Sequence, residues 1–188
     1  MPAGPPLAAP PVLDTARLIL RPFAAADAPL VEALAGAREI ADTTLAIPHP
    51  YPAGAAAGWI GTHAAAWQRG AGVTYAITLR PDGALVGAIG LTVNQAHACG
   101  ELGYWIAVPC WNRGYCTEAA RAVVAFGFDT LRLHRIQAHH LTRNPPSGRV
   151  MQKIGMQREG VHREAIRKRD RFEDIAVYGI LAADDALS

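Results

Sequence analysis

The chain lacks several features that mark common protein classes, beginning with cysteine. It has only three cysteines among 188 residues, Cys99, Cys110 and Cys116, and none of them forms a C-x-x-C pair. An odd count argues against a framework of disulfides, and free thiols suit a reducing compartment. We therefore expect a cytoplasmic protein.

Charge, long apolar runs and metal-ligand spacings are also scarce. The formal net charge of +2 is too small to predict nucleic-acid binding. No apolar run approaches the roughly 20 residues that span a membrane. His139 and His140 are adjacent on a predicted strand, so they face opposite ways and do not share a metal. We expect no nucleic acid, no membrane and no metal among its partners.

The size and composition fit one globular domain. A chain of 20.0 kDa with 51% hydrophobic and 18% charged residues is large enough to bury a core. The first residues, Met1 to Pro11, are rich in Pro and Ala and have neither the basic region nor the apolar region of a signal peptide. We predict a flexible leader over residues 1–13 and a single domain over 14–188.

The hydrophobic periodicity alternates between strand and helix patterns. Strands are predicted over 14–23, 74–79, 84–93, 100–108, 135–141, 157–166 and 172–181. Helices are predicted after Asp27 as the N-cap, over 53–69, after the turn at Gly114, and just before Gly155, with a loop over 40–52. Without a repeat or an internal linker, this order predicts one α+β domain with a mixed sheet.

The segment from Trp111 to Ala119 is the most informative part of the chain. A predicted strand stops at Pro109, a turn centred on Gly114 follows, and an amphipathic helix comes next. This order leaves unpaired backbone N–H groups at a helix N-terminus, where the helix dipole favours an anion. Gly114 lets the backbone come close to a phosphate group. Many folds use such a turn only to change direction, so the neighbouring segments decide its meaning.

Four segments in order resemble the GCN5-related N-acetyltransferase (GNAT) superfamily, and within it the branch of bacterial ribosomal-protein N-terminal acetyltransferases. They are Thr15 to Phe23 with Asp27; Gly100 to Ile106; Trp111 to Ala119; and Asn144 with Ser147, Lys153 to Met156, Glu159 and Gly160. The resemblance implies a mixed, mostly antiparallel central sheet, splayed between the fourth and fifth predicted strands (strands 4/5), with helices on both faces. It also implies acetyl-CoA as the co-substrate.

The reaction that the resemblance implies is direct attack of a primary amine on acetyl-CoA in a ternary complex. The implied pyrophosphate donors are the backbone N–H groups of Arg113, Gly114, Tyr115, Cys116 and Thr117. The backbone from Ile106 to Val108 would pair with pantetheine, and Asn144 would hold its amides. The implied catalytic groups are the Ile106 N–H for the oxyanion, Ser147 for the departing thiolate and Glu101 as the base.

Several of these residues have equally simple structural explanations. Glu101 would also suit a solvated strand end, and the Asn144–Ser147 segment would also suit a turn and helix cap. A cysteine at a helix N-terminus predicts a lowered pKa for Cys116, which invites a covalent acetyl-enzyme, but we favour a small packing residue. The basic turn from Arg167 to Arg169 fits a solvated hairpin tip better than a site for an acidic partner or the coenzyme's 3′-phosphate.

Departures from the branch pattern keep a second function open. Asn112 and Cys116 replace a usual glycine and alanine, and Met151 occupies the position where many superfamily members carry a tyrosine acid. The chain therefore fits either an N-acetyltransferase or a non-catalytic acyl-CoA-binding or regulatory module. For the enzyme, the acceptor is a protein N-terminus or a small amine, and a homodimer is compatible with either function. The chain lacks the motifs of a P-loop or a dinucleotide fold.

Overall fold

An eight-stranded sheet organises residues 9–185, the part of the chain that the structure, a computed structural model, describes. The strands are β1 Leu13–Asp14, β2 Leu18–Pro22, β3 Gly72–Leu79, β4 Leu85–Asn94, β5 Cys99–Ile106, β6 Arg135–Leu141, β7 Gln157–Lys168 and β8 Arg171–Leu181. The helices are α1 Ala28–Ala35, α2 Arg38–Thr43, α3 Ala55–Gly61, α4 His63–Gln68, α5 Tyr115–Asp129, α6 Pro145–Lys153 and α7 Ala182–Asp185. The spatial order is β1-β2-β3-β4-β5-β6-β8-β7.

Successive side chains of the central strands point to opposite faces of the sheet, and each face is covered by its own hydrophobic core. Along β3, Tyr75 and Ile77 enter the larger core, which also contains Val123 of α5. Ala76, between them in sequence, enters the smaller core with Val31 of α1. The helices therefore cover both faces of the sheet, as the resemblance implied.

The sheet opens between β5 and β6. Every other pair of neighbouring strands is antiparallel, but β5 and β6 are parallel and pair only from Cys99 to Glu101 with Arg135 to Gln137. Beyond Glu101 the two strands diverge, so the backbone groups on that edge of β5 have no strand beside them. The predicted opening between the fourth and fifth predicted strands, which are β5 and β6, is confirmed.

The first predicted strand is wrong in its bounds. It divides into β1 and β2, which pair with each other around a turn that includes Thr15. The Thr15 hydroxyl oxygen accepts from the Leu18 N–H at 3.0 Å, and this local bond competes with an extended strand. Leu13 belongs to β1, so the sheet begins one residue inside the predicted leader. Residues 1–8 of that leader lie outside the described residues.

Asp27 is the N-cap residue of α1, as predicted, but its side chain does not make the capping hydrogen bond. The carboxylate accepts two hydrogen bonds from the Arg21 guanidinium, at 2.7 and 2.8 Å, and one from the Ala24 N–H at 2.8 Å. Asp27 therefore joins the end of β2 to the turn before α1.

Two further differences concern the helices. The predicted helix over 53–69 is divided into α3 and α4 at Thr62, whose N–H bonds to the Trp59 carbonyl three residues back. Gly58 and Gly61 lower the helix propensity of this stretch. The predicted loop over 40–52 begins within α2, which the sequence did not indicate. In residues 9–185, no helix combines the length and the apolar character needed to cross a bilayer.

Candidate functional site

The opening between β5 and β6 forms a cleft of about 810 Å³. It brings together most of the predicted site residues: Glu101, Ile106, Gly114, Tyr115, Cys116, Thr117, Asn144 and Ser147. Val108 and Arg113 do not line it. Three separate parts of the chain, β5, the start of α5 and the start of α6, therefore contribute to one cavity, although they are far apart in sequence.

The turn before α5 presents backbone donors at one end of the cleft. Gly114 is the N-cap with φ = +78°, a left-handed conformation that glycine adopts at little cost. The first backbone bond of α5 runs from the Glu118 N–H to the Gly114 carbonyl at 3.1 Å. The N–H groups of Tyr115, Cys116 and Thr117 therefore have no acceptor within the helix. This geometry suits an anion, and the assignment of that anion as a pyrophosphate stays a prediction.

Asn112 fits the same turn despite standing where the branch pattern has glycine. Its φ is +60°, and asparagine is one of the few residues other than glycine that adopt this region readily. The substitution therefore leaves the shape of the turn intact. Trp111, beside it, is partly exposed, and its indole N–H donates to the Ile106 carbonyl at 2.6 Å. That bond ties the turn to the end of β5.

The unpaired edge of β5 supplies the backbone groups that line the cleft. The Ala107 N–H donates to the Val86 carbonyl of β4 at 2.8 Å, and Ile106 pairs with Gly87 in the next position. Hydrogen-bonded and non-hydrogen-bonded pairs alternate in an antiparallel ladder, so the N–H of Ile106 points away from β4, into the cleft. Its role as an oxyanion donor stays a prediction. Val108 lies in a 3₁₀ turn, so the strand ends two residues earlier than predicted.

Tyr104 also belongs to the site, although it is not among the catalytic or cofactor-binding residues predicted from the sequence. Its N–H also points into the cleft, because Tyr104 lies two residues before Ile106 on the same edge. Its hydroxyl lies 3.0 Å from both the Ser147 hydroxyl and the Ser147 carbonyl oxygen. Burial raises the pKa of Tyr104 well above its usual value, so the phenol stays protonated and can donate. The side chain bridges β5 and the first turn of α6 across the cleft.

Glu101 lies where β5 and β6 begin to separate. Its carboxylate is 3.6 Å from Nδ1 of His139 and 3.5 Å from Nε2 of Gln137, both on β6. The Glu101 side chain is 46% exposed and that of His139 is 22% exposed. Glu101 is therefore a carboxylate that borders the cleft and has an imidazole beside it. His140, the next residue, is buried on the opposite face, as its position on the strand predicted.

The lowered pKa predicted for Cys116 is wrong, whereas the small packing role that we favoured for its side chain agrees with the structure. Burial raises the pKa of the Cys116 thiol well above its usual value, so the thiolate is disfavoured despite its position at a helix N-terminus. Its side chain packs against the larger hydrophobic core. Met151, in the position of the superfamily's tyrosine, is also fully buried in that core. Neither side chain provides acid or nucleophilic chemistry.

Asn144 and the basic turn both contact the end of α2. Asn144 donates from its side-chain amide to the Thr43 carbonyl at 3.2 Å, so its carbonyl oxygen and its second N–H remain available to a ligand. The Lys168 ammonium donates to the Thr44 carbonyl, and Arg169 pairs with Asp42 at 2.7 Å. Lys168 and Arg169 of the basic turn therefore contact the end of α2, while Arg167 and Arg169 remain exposed, as expected for a solvated hairpin tip. Across residues 9–185, no group of three metal-ligating side chains is assembled.

Comparisons with known proteins bear on what this cleft does. The family model described as an acetyltransferase (GNAT) domain matches residues 17–157. An uncharacterised N-acetyltransferase of Bacillus subtilis, YoaA, is 34% identical over 172 residues, which are 91% of this chain and 97% of YoaA. YdaF, a putative ribosomal N-acetyltransferase of the same organism, is 32% identical over 53% of this chain and 55% of its own length. The crystal structure of a GNAT-family acetyltransferase from Bacillus anthracis superposes with a TM-score of 0.82 and 26% identity, covering 92% of this chain and 99% of the other.

Proposed function

The chain belongs to the acetyltransferase (GNAT) family and is an N-acetyltransferase, and from that premise we propose that it transfers acetyl from acetyl-CoA to a primary amine by direct attack in a ternary complex. The observation that carries the proposal is the continuous cleft from the donors at Gly114, along the open edge of β5, to the Glu101 carboxylate. The family prediction is confirmed; the co-substrate, the site roles and the acceptor are proposals.

The order of groups along β5 supports one direction for the co-substrate. The pyrophosphate would rest on the backbone N–H groups of residues 113–117, and the pantetheine arm would run beside Ile106 toward Tyr104. At about 3.4 Å per residue, Ile106 lies about 17 Å from Glu101, while Tyr104 lies about 10 Å from it. The Tyr104 N–H is therefore better placed than that of Ile106 to stabilise an oxyanion near Glu101. We retain Ile106 as the alternative donor.

The cleft contains a candidate proton acceptor for the attacking amine and a candidate hydrogen-bond donor for the departing sulfur. The neutral amine attacks the thioester carbonyl carbon, and the new C–N bond forms as the C–S bond breaks. Glu101, directly or through water, takes the proton that the amine nitrogen loses. The hydroxyl of Ser147, which lies beside that of Tyr104, donates a hydrogen bond to the sulfur, which departs as the coenzyme A thiolate. A thiol's pKa is only slightly above neutrality, so weak assistance suffices.

The acceptor enters the proposal as a protein N-terminus or a small amine. The cleft lining also includes Thr74, Thr92, Gly90 and Gly103, whose side chains are small or absent. Glu101 is the only carboxylate in the lining drawn from the described residues. A long polycation would meet few negative charges there, so we favour an acceptor with one reactive amine.

The test is thiol release from acetyl-CoA in a panel of Ala- and Ser-starting peptides and small amines, with the acetylated product identified by mass spectrometry. We expect at least one acceptor to be acetylated, and Glu101→Gln to lower kcat by about 100-fold. Gln137→Ala is the matched control, because it removes a neighbour of Glu101 but no proposed proton acceptor. Tight CoA binding without turnover on any acceptor, together with an unaffected Glu101→Gln variant, would support a non-catalytic module instead.

A further inference from the structure

We propose that Arg17 positions the pyrophosphate-binding turn by pairing with Glu118, so that a negative charge in the first turn of α5 does not oppose the bound coenzyme. This inference rests on the proposed function, since it concerns the binding of CoA. It assigns a role to Arg17, which precedes β2 and lies almost 100 residues before the turn it contacts.

The guanidinium of Arg17 lies against three residues of the turn, Arg113, Gly114 and Tyr115. Its Nη1 donates to the Arg113 carbonyl at 3.0 Å, and its guanidinium carbon lies 4.9 Å from the centre of the Tyr115 ring. A Cβ added to Gly114 would lie 3.3 Å from its Nη2. These contacts involve a carbonyl, a ring and the space beside the glycine, and they leave the N–H groups of the turn free for an anion. Arg17 is therefore a positioning residue.

Glu118 is the partner that makes this arrangement necessary. Its carboxylate accepts from the Thr15 hydroxyl at 2.7 Å, the Arg17 N–H at 2.8 Å and Arg17 Nε at 2.7 Å. Burial alone raises the pKa of Glu118, but the hydrogen bonds from Thr15 and Arg17 outweigh it and leave the pKa lowered. The group is therefore a carboxylate at neutral pH, one residue beyond the proposed pyrophosphate donors.

The charges of Arg17 and Glu118 determine whether each substitution should weaken or strengthen CoA binding. A carboxylate in the first helical turn is favourable toward the helix dipole but unfavourable toward a pyrophosphate bound at the same terminus. Arg17 cancels that repulsion and holds the turn through Arg113. Removing Arg17 should therefore weaken CoA binding, and removing the Glu118 charge as well should restore much of the loss. A purely structural role for Arg17 would not predict that recovery.

Arg80 provides a matched control. It is also a partly exposed arginine near β1, with Nε donating to the Thr15 carbonyl at 2.6 Å and Nη2 to Asp14 at 2.8 Å. It is not among the side chains that contact the turn at Gly114. Arg80→Ala thus removes a comparable exposed ion pair but no contact with the turn at Gly114.

The experiment is calorimetric titration of wild type, Arg17→Ala, Arg17→Ala/Glu118→Gln and Arg80→Ala with CoA, 3′-dephospho-CoA and pantetheine. For CoA and dephospho-CoA we expect Arg17→Ala to raise Kd about tenfold, the double variant to return within about threefold of wild type, and Arg80→Ala to be unchanged. The defect should shrink at high salt, because salt screens exposed charges. Pantetheine, which lacks the pyrophosphate, should not distinguish the variants.

Each contrary result has a distinct meaning. Equal CoA affinity of Arg17→Ala and wild type would overturn the proposal, as would a double variant no better than Arg17→Ala. A defect lost with dephospho-CoA would make Arg17 a ligand of the 3′-phosphate instead. If chemical denaturation shows that the Arg17→Ala variant is not folded, Arg17→Lys replaces it. Lysine keeps the charge but loses the contacts that the guanidinium makes with both Glu118 and Arg113, so the Kd for CoA should rise by less than the tenfold expected for Arg17→Ala. A wild type that does not bind CoA would refute the proposed function itself.

Discussion

The hydroxyl of Tyr104 offers a substitution that tests how the cleft is built. In Tyr104→Phe the ring remains, but both contacts of 3.0 Å to Ser147 disappear. A net hydrogen bond contributes about 0.5–1.5 kcal/mol, so we expect the free energy of unfolding to fall by about 1 kcal/mol. If the lost contact also lets Ser147 rotate away from the thiolate, kcat should fall about tenfold, which corresponds to about 1.4 kcal/mol in the barrier.

The assays are urea denaturation and steady-state kinetics with acetyl-CoA and an accepted amine. Tyr75→Phe is the matched control, because the Tyr75 hydroxyl is buried and has no hydrogen-bond partner among the described residues. That change should leave kcat unaltered and the stability equal or higher. Because Tyr104 is proposed to act through Ser147, Tyr104→Phe should have little further effect on kcat in a Ser147→Ala background. Additive losses in the double variant, or a Tyr104→Phe enzyme with wild-type kcat, would refute the reasoning.

Two further predictions concern stability and its dependence on pH. Asp27→Asn should lower the free energy of unfolding by about 2 kcal/mol at neutral pH, since it breaks a largely buried pair with Arg21. The hydrogen bonds from Arg21 lower the pKa of Asp27 in the folded protein. In urea denaturation, the stability that the pair contributes should therefore be complete above the usual carboxyl pKa and should be lost as the pH falls through the lowered folded pKa. Burial lowers the pKa of His63. The centre of its ring lies 4.5 Å from the ring centre of Trp59, and neither of its ring nitrogens has a hydrogen-bond partner among residues 9–185. The unfolded chain therefore takes up this proton first, so stability should decline as pH falls below about 6.5, and His63→Phe should remove that part of the slope; an unchanged slope would contradict the assignment.

The features that the sequence predicted well are those decided by local pattern. The turn at Gly114 needs a left-handed residue, and glycine followed by a helical stripe indicates both the turn and the helix. The alternation along β3 and β4 likewise places their side chains on two faces. Asn144 and Ser147 meet the cleft because the start of α6 lies beside the open edge of β5.

The features that the sequence missed depend on tertiary contacts. The pKa of Cys116 follows from its burial against the core, which outweighs the helix terminus that suggested a reactive thiol. The side chain of the N-cap residue Asp27 bonds to Arg21 and not to the first turn of α1, because β2 and the following turn bring the two side chains together. Tyr104 and Ser147 are 43 residues apart, so no spacing rule would have paired them.

A crystal structure of the protein with bound CoA would test the central claim most directly. The account predicts pyrophosphate oxygens within about 2.7–3.2 Å of backbone nitrogens in residues 113–117, and the sulfur atom between the β5 edge at Tyr104 and the hydroxyl of Ser147. Arg17 should keep its contact with Glu118 and should not touch a phosphate. A pyrophosphate bound away from the start of α5, or a sulfur atom outside the opening between β5 and β6, would contradict the account.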